Sequence, residues 1–201
     1  MCRFSPLFVD ISGPKRVQTL GKALYAAMVL DDAGRFTAPL LLLAKTDLVP
    51  ALRRWYATAV VPTGLTVKYV LYDPGGEFRG QDFMGLLGEM GTADEETGTD
   101  TSQQNGVAER RMAVIDQGAR ASLYSAGLGD KLWLWGEAYN HATYILNRMC
   151  TDANQGASPY QRLYGVVDSI LHVPPFGTQG YYRADPRRKL APRGKACLML
   201  G

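Results

Sequence analysis

Apolar and polar positions alternate between two rhythms along this chain, short apolar runs early and stripes at helical spacing later. Residues 4–11 (FSPLFVDI) predict a short, largely buried strand closed by Ser12-Gly13-Pro14. Two apolar runs, Ala23 to Leu30 and Phe36 to Leu43, flank the polar, glycine-containing Asp31-Asp32-Ala33-Gly34-Arg35 and predict a hairpin. Leu48, Leu52, Trp55, Tyr56 and Ala59 then recur at helical spacing across 46–60, where Thr46 or Asp47 can cap the start. Val67 to Tyr72 (VKYVLY) predicts another buried strand, ending at Asp73-Pro74-Gly75-Gly76.

The remaining chain reads as helical. Phe83, Leu86 and Leu87 share one side of a helix over 81–90, and the polar, acidic stretch Gly91 to Asp100 is expected to be a loop. Thr101 and Gln104 match a capping box at the head of a long helix with a stripe of Ala108, Met112, Ile115 and Ala119. Lys131 to Met149 predicts a further helix with Leu132, Trp135, Tyr139, Ala142, Ile145 and Leu146 inward, and 158–164 a last short one. Three adjacent strands followed by strand–helix alternation is a mixed-sheet α/β layout with helices on both faces.

Composition narrows this picture in three ways. With 46% hydrophobic residues among 201, the chain can build a real core. It has no apolar run long enough for a membrane span and no secretory leader pattern, so an intracellular protein is expected. Cys2, Cys150 and Cys197 are an odd, scattered set that suggests reduced thiols, and with only His141 and His172 beside them no zinc-ligand spacing occurs. The net charge of +3 is unevenly spread. Arg183, Arg187, Arg188, Lys189, Arg193 and Lys195 face only Asp185 in their stretch, whereas Asp94, Glu95, Glu96 and Asp100 cluster in another. The basic stretch is compatible with polyanion binding or with a solvated tail.

Three acids stand where chemistry is placed in α/β proteins. Asp10 closes the first strand, Asp73 closes the fourth, and Glu109 lies about two turns into the capped helix. Strand ends at the carboxyl edge of such a sheet are where ligands bind. Singly, each acid also reads as a turn, cap or solvated residue. Together, three converging carboxylates would suit hard divalent cations such as magnesium and, through two such ions, in-line displacement at phosphorus.

The segments Phe8-Val9-Asp10-Ile11-Ser12-Gly13-Pro14, Tyr72-Asp73-Pro74-Gly75-Gly76-Glu77-Phe78 and Ser102-Gln103-Gln104-Asn105-Gly106-Val107-Ala108-Glu109-Arg110-Arg111 closely resemble the integrase of copia-type LTR retrotransposons. Thirty-five residues separate Asp73 from Glu109, the spacing typical of Asp-Asp-Glu integrases. The resemblance continues through 128–148 and into Ser158-Pro159-Tyr160, Phe176-Gly177 and Arg193-Gly194-Lys195-Ala196-Cys197. It implies an RNase H-like fold: a mixed five-stranded sheet, three strands antiparallel and the others parallel. It also implies two magnesium or manganese ions held by Asp10, Asp73 and Glu109, with Asp10 bridging both. Members trim the 3′ ends of element cDNA and join them to target DNA, working as oligomers in the nucleus after a cytoplasmic phase. Gln103, Gln104 and Asn105 would then lie beside DNA at the helix start, and Arg110 and Arg111 would contact phosphate or solvent. Residues 1–166 would form the catalytic core and 167–201 a basic C-terminal extension.

Three features depart from the family pattern. Pro74 stands where members carry Asn, removing a backbone donor and favouring extended geometry at Asp73. The acids of 91–100 replace a β-like segment with His, aromatic and proline residues, and would oppose a nearby phosphate path. No Cys/His zinc module precedes the first strand, as expected of a polyprotein fragment or a decayed copy. The alternative is accordingly a catalytically decayed or co-opted module that only binds nucleic acid. A third reading, an RNase H-type nuclease, shares the chemistry, but the QQNG string before Glu109 favours the integrase.

Overall fold

The computed structural model describes residues 6–72, 78, 80–96, 102–183 and 194–200, with side chains at 94–96 and 102–105 outside that description. Five strands form one mixed sheet in the order β3-β2-β1-β4-β5. They are β1 (Leu7–Ser12), β2 (Tyr25–Asp31), β3 (Thr37–Leu42), β4 (Tyr69–Tyr72) and β5 (Ala93–Glu96). β1 and β2 run antiparallel with Val9 opposite Val29, as do β2 and β3 with Val29 opposite Ala38. β4 lies parallel to β1, pairing Tyr72 with Val9, and β5 continues parallel to β4. The expected five-stranded mixed sheet is thus the observed one.

Strand alternation divides the sheet into two apolar faces. Leu7, Val9, Ala27, Val29, Val70 and Tyr72 point to one side. There they meet α1 (Leu48–Trp55), through Leu48, Leu52 and Trp55, and α2 (Gln81–Met90), through Phe83, Leu86 and Leu87. Phe8, Ala26, Met28, Leu30 and Leu71 point to the other side. This face is covered by α3 (Ser102–Ser125) and α4 (Trp135–Arg148), with Ile115, Ala119, Leu123, Ala138 and Ala142 at the contact. Helices therefore cover both faces. α3 and α4 approach closely at small residues, since a Cβ on Gly118 would come within 3.2 Å of Ala142 Cβ. α5 (Pro159–Tyr164) follows, capped by Ser158 Oγ accepting from Gln161 N–H at 3.1 Å. The hairpin of β6 (Gln179–Arg183) and β7 (Gly194–Leu198) forms a separate two-stranded sheet.

Several elements differ from expectation for identifiable reasons. The stretch expected as a loop over 91–100 contains β5. Thr92 Oγ1 donates to Val67 C=O at 3.0 Å and Ala93 N–H to Lys68 C=O at 2.9 Å, which docks the segment beside β4. As an edge strand, β5 tolerates the charged residues that hid it from pattern reading. The helix expected over 46–60 gives way after Trp55 to a π-helical turn at Tyr56–Val60. There Thr58 Oγ1 donates back to Arg54 C=O at 2.9 Å, competing with the helical ladder. Leu132, expected inward, is 54% exposed. A 3₁₀ turn at Leu132–Leu134 precedes α4, and its tighter period sends Leu134 into the core instead.

Candidate active site

β1 owes its place to its apolar residues, and Asp10 is carried with them. Because Leu7 and Val9 belong to the α1/α2 face, alternation puts Phe8 and Asp10 on the face covered by α3. The helix is seated there by Val107 and Ala108, which pack on Phe8, Leu30 and Leu71. Glu109 is the next residue along the helix. Asp10, half-buried, and Glu109, exposed, line one cavity of about 90 Å³ with Phe8, Val9, Leu71, Tyr72 and Ala108. Two acids distant in sequence thereby line one cavity, and Asp10, expected to close its strand, lies within it, two residues before the end of β1.

Asp73 lies outside the described residues, although Tyr72, its predecessor, lines the same cavity. Among the described residues no group of three or more His, Cys, Asp or Glu side chains gathers to hold a metal. The donor set that is present nevertheless fits a hard cation. Both groups are carboxylates, from two separate elements, and the cavity is roomy enough for a small hydrated ion. It is far smaller than the several hundred Å³ of an organic-cofactor pocket.

The expected DNA-contacting residues divide into three cases. Gln103, Gln104 and Asn105 fall in the first turns of α3, but their side chains lie outside the described ones. Arg110 is exposed, with Nε donating to Gly106 C=O at 2.8 Å. Arg111 points to the β2–β3 hairpin: Nε donates to Thr37 Oγ1 at 2.9 Å and Nη2 to Arg35 C=O at 3.3 Å. Burial, followed by the nearby Arg35 charge, shifts the Arg111 pKa downward. These contacts make it a clamp between helix and hairpin, part-buried where a solvated side chain or a phosphate contact was expected. Sequence gave no sign of this, because Thr37 is 74 positions away.

Asp31 and Asp32 are the hairpin-turn residues their context suggested. Asp31 Oδ2 accepts from Gly34 N–H at 2.7 Å, and Asp32 pairs with Arg35 at 2.6 Å. The two histidines meet elsewhere, at an apolar cavity between α4 and the 172–174 segment, where Tyr144 Oη lies 3.2 Å from His172 Nε2. Burial lowers the pKa of His141.

Comparison with known proteins agrees with this architecture. No protein-family model matches the chain. It is 27% identical over 197 residues, 97% of its length, to the retrovirus-related Pol polyprotein from transposon TNT 1-94 of Nicotiana tabacum. It is 29% identical over 131 residues, 64% of its length, to the corresponding polyprotein from transposon RE2 of Arabidopsis thaliana. The chain spans only 15% and 9% of those two polyproteins. Among solved structures, the HTLV-2 integrase catalytic core domain in complex with magnesium (trimeric form) superposes with a TM-score of 0.60 at 14% identity, covering 81% of this chain and 98% of that one. The catalytic core domain of BIV integrase gives 0.57 at 14% identity, covering 80% and 93%. The fold is therefore that of the retroviral integrase cores, RNase H-like, and the sequence homologues are retrovirus-related Pol polyproteins of plant transposons.

Proposed function

We propose that this chain is the catalytic core of a copia-type retrotransposon integrase, processing the 3′ ends of element cDNA and transferring them to target DNA. The observation that carries the proposal is the shared cavity of Asp10 and Glu109 within an integrase-core fold. Asp73 is the third member by virtue of following Tyr72 directly. These three carboxylates would hold two magnesium or manganese ions; magnesium accompanies the HTLV-2 core. Bound there, the ions would activate the attacking oxygen and stabilise the leaving one.

The chain's own residues supply position. β1, paired on both sides, fixes Asp10. Phe8, Leu71 and Ala108 give the cavity an apolar wall beside the two carboxylates. The start of α3, with Gln103, Gln104 and Asn105, is where a DNA phosphate would be drawn by unpaired helix amides. Exposed Arg110 extends that path. The nucleophile would be water in trimming and a DNA 3′-hydroxyl in joining, in a homo-oligomer on paired DNA ends in the nucleus.

A strand-transfer assay with a short element-end duplex and magnesium tests the reading. Asp10→Asn and Glu109→Gln should each lower turnover by roughly three orders of magnitude, corresponding to several kcal/mol of lost transition-state stabilisation. Thermal melting should show the exposed Glu109→Gln variant folded as before. Turnover that survives both substitutions would remove the metal role. The second reading, a module that binds DNA without turnover, is favoured by β5, whose Asp94, Glu95 and Glu96 pair alongside the strand leading to Asp73. Salt-sensitive duplex binding with no magnesium-dependent product would select it.

A further inference from the structure

A second cavity, of about 270 Å³, opens between the C-terminal half of α3, the start of α4 and the segment after β1. Its walls are apolar and aromatic: Leu123, Leu132, Trp135 and Tyr124. The tyrosine ring lies over the backbone of Gly129, where an added Cβ would come within 2.8 Å of it. Trp135 is fixed by donating Nε1–H to Val17 C=O at 2.8 Å, which ties the wall to the Lys15–Val17 segment. Lys15 Nζ donates to Tyr139 Oη at 3.1 Å and sits 5.4 Å from that ring centroid and 6.0 Å from that of Trp135. Lys15, Arg16 and Arg120 thus face a single acid, Asp116, around an aromatic floor.

We propose that this cavity receives an unpaired nucleotide of the DNA strand that crosses the Asp10–Glu109 site. The proposal rests on the function proposed above. Flat apolar walls suit a nucleobase, which stacks on aromatic rings whatever its identity, and the exposed guanidinium groups of Arg16 and Arg120 suit its phosphates. Asp116 is a hydrogen-bond acceptor suited to an exocyclic amine. Helix geometry adds continuity: Glu109, Asp116 and Arg120 are seven and eleven positions apart, on one face of α3. Arg120 therefore stands about 16 Å along the helix from Glu109 at 1.5 Å per residue, and a strand following that face passes both cavities. The surplus of cations over acids favours a polyanion over an apolar peptide.

The test uses the whole chain in EDTA, so that binding is read without turnover. A twelve-nucleotide single strand carrying one 2-aminopurine, and its blunt duplex, serve as probes. The single strand should bind with quenched 2-aminopurine fluorescence. Tyr124→Ala should abolish the quench and weaken single-strand binding about tenfold, the scale of one lost base stack, while duplex binding stays unchanged, and Arg120→Gln should weaken single-strand binding and reduce the quench. Both side chains are exposed, Tyr124 by 70%, so neither substitution empties the core. A quench that persists in both variants, or an acidic peptide that binds here while the oligonucleotide gives no quench, overturns the proposal. Strand transfer in the magnesium assay described above, with no quench in EDTA, overturns the nucleotide pocket alone. Failure to bind either probe overturns it together with the integrase reading.

Discussion

The Asn147 carboxamide takes the part of one residue of a missing strand. β3 is the sheet edge, and at its first residue Asn147 Oδ1 accepts from Thr37 N–H at 2.9 Å while Nδ2 donates to Thr37 C=O at 2.7 Å. Thr37 is 1% exposed, so without this amide its backbone groups would be buried and unpaired. Asn147→Ala should therefore destabilise the protein by about 3 kcal/mol, the scale of two buried polar groups left unsatisfied. Urea unfolding would measure this, with a lower midpoint at an unchanged slope. Asp10 and Glu109 could be singled out in the sequence because their neighbours formed recognisable strings. Asn147 and Arg111 could not, because what gives each its role is Thr37, 110 and 74 positions away, and no local period encodes such a partner.

Elements were legible where one face was apolar and the other was not. β1, β2, β3 and α3 follow from their hydrophobic spacing, since burial on the sheet faces is what orders them. β5 follows from pairing with β4, a long-range event that its acidic residues do not advertise, and Leu132 was misplaced because a 3₁₀ turn changes the period before α4. The packing of α4 also depends on a residue that no pattern flagged. A Cβ on Gly136 would come within 2.6 Å of Thr19 Cγ2 and 2.8 Å of Leu41 Cδ1, so the helix lies directly on this part of the structure. Gly136→Ala is expected to cost about 1–3 kcal/mol by overpacking, despite alanine's better helix propensity. Differential scanning calorimetry would register it as a lower melting temperature, whereas a gain in stability would show that α4 can shift freely.

Charge is a property of the whole molecule, and it is segregated. Two residues of the basic stretch, Arg183 and Lys195, are exposed and stand at neighbouring register positions at one end of the β6–β7 hairpin, Arg183 opposite Gly194 and Lys195 opposite Tyr182. The stretch from 183 to 195 carries six bases in all. If it meets phosphate, changing Arg183 and Lys195 to Gln should lower the slope of log affinity against log salt by about two, near one unit per lost contact. Fluorescence anisotropy on a duplex across a salt series would show this, and an unchanged slope would assign both residues to the solvated surface. Neither outcome touches the Asp10–Glu109 cavity, which belongs to the five-stranded sheet and not to the hairpin.

The central position of β1 has a consequence for how the site would fall apart. Amides of a strand paired on both sides exchange with deuterium chiefly through global opening, whereas the ends of long helices fray independently. Asp10 is carried by the former, while Glu109 stands seven residues from the first residue of α3. Hydrogen–deuterium exchange is therefore expected to show the amides around Glu109 opening ahead of those around Asp10. As temperature rises, Glu109 would leave the cavity before Asp10 does, separating the two carboxylates while most of the sheet is still protected.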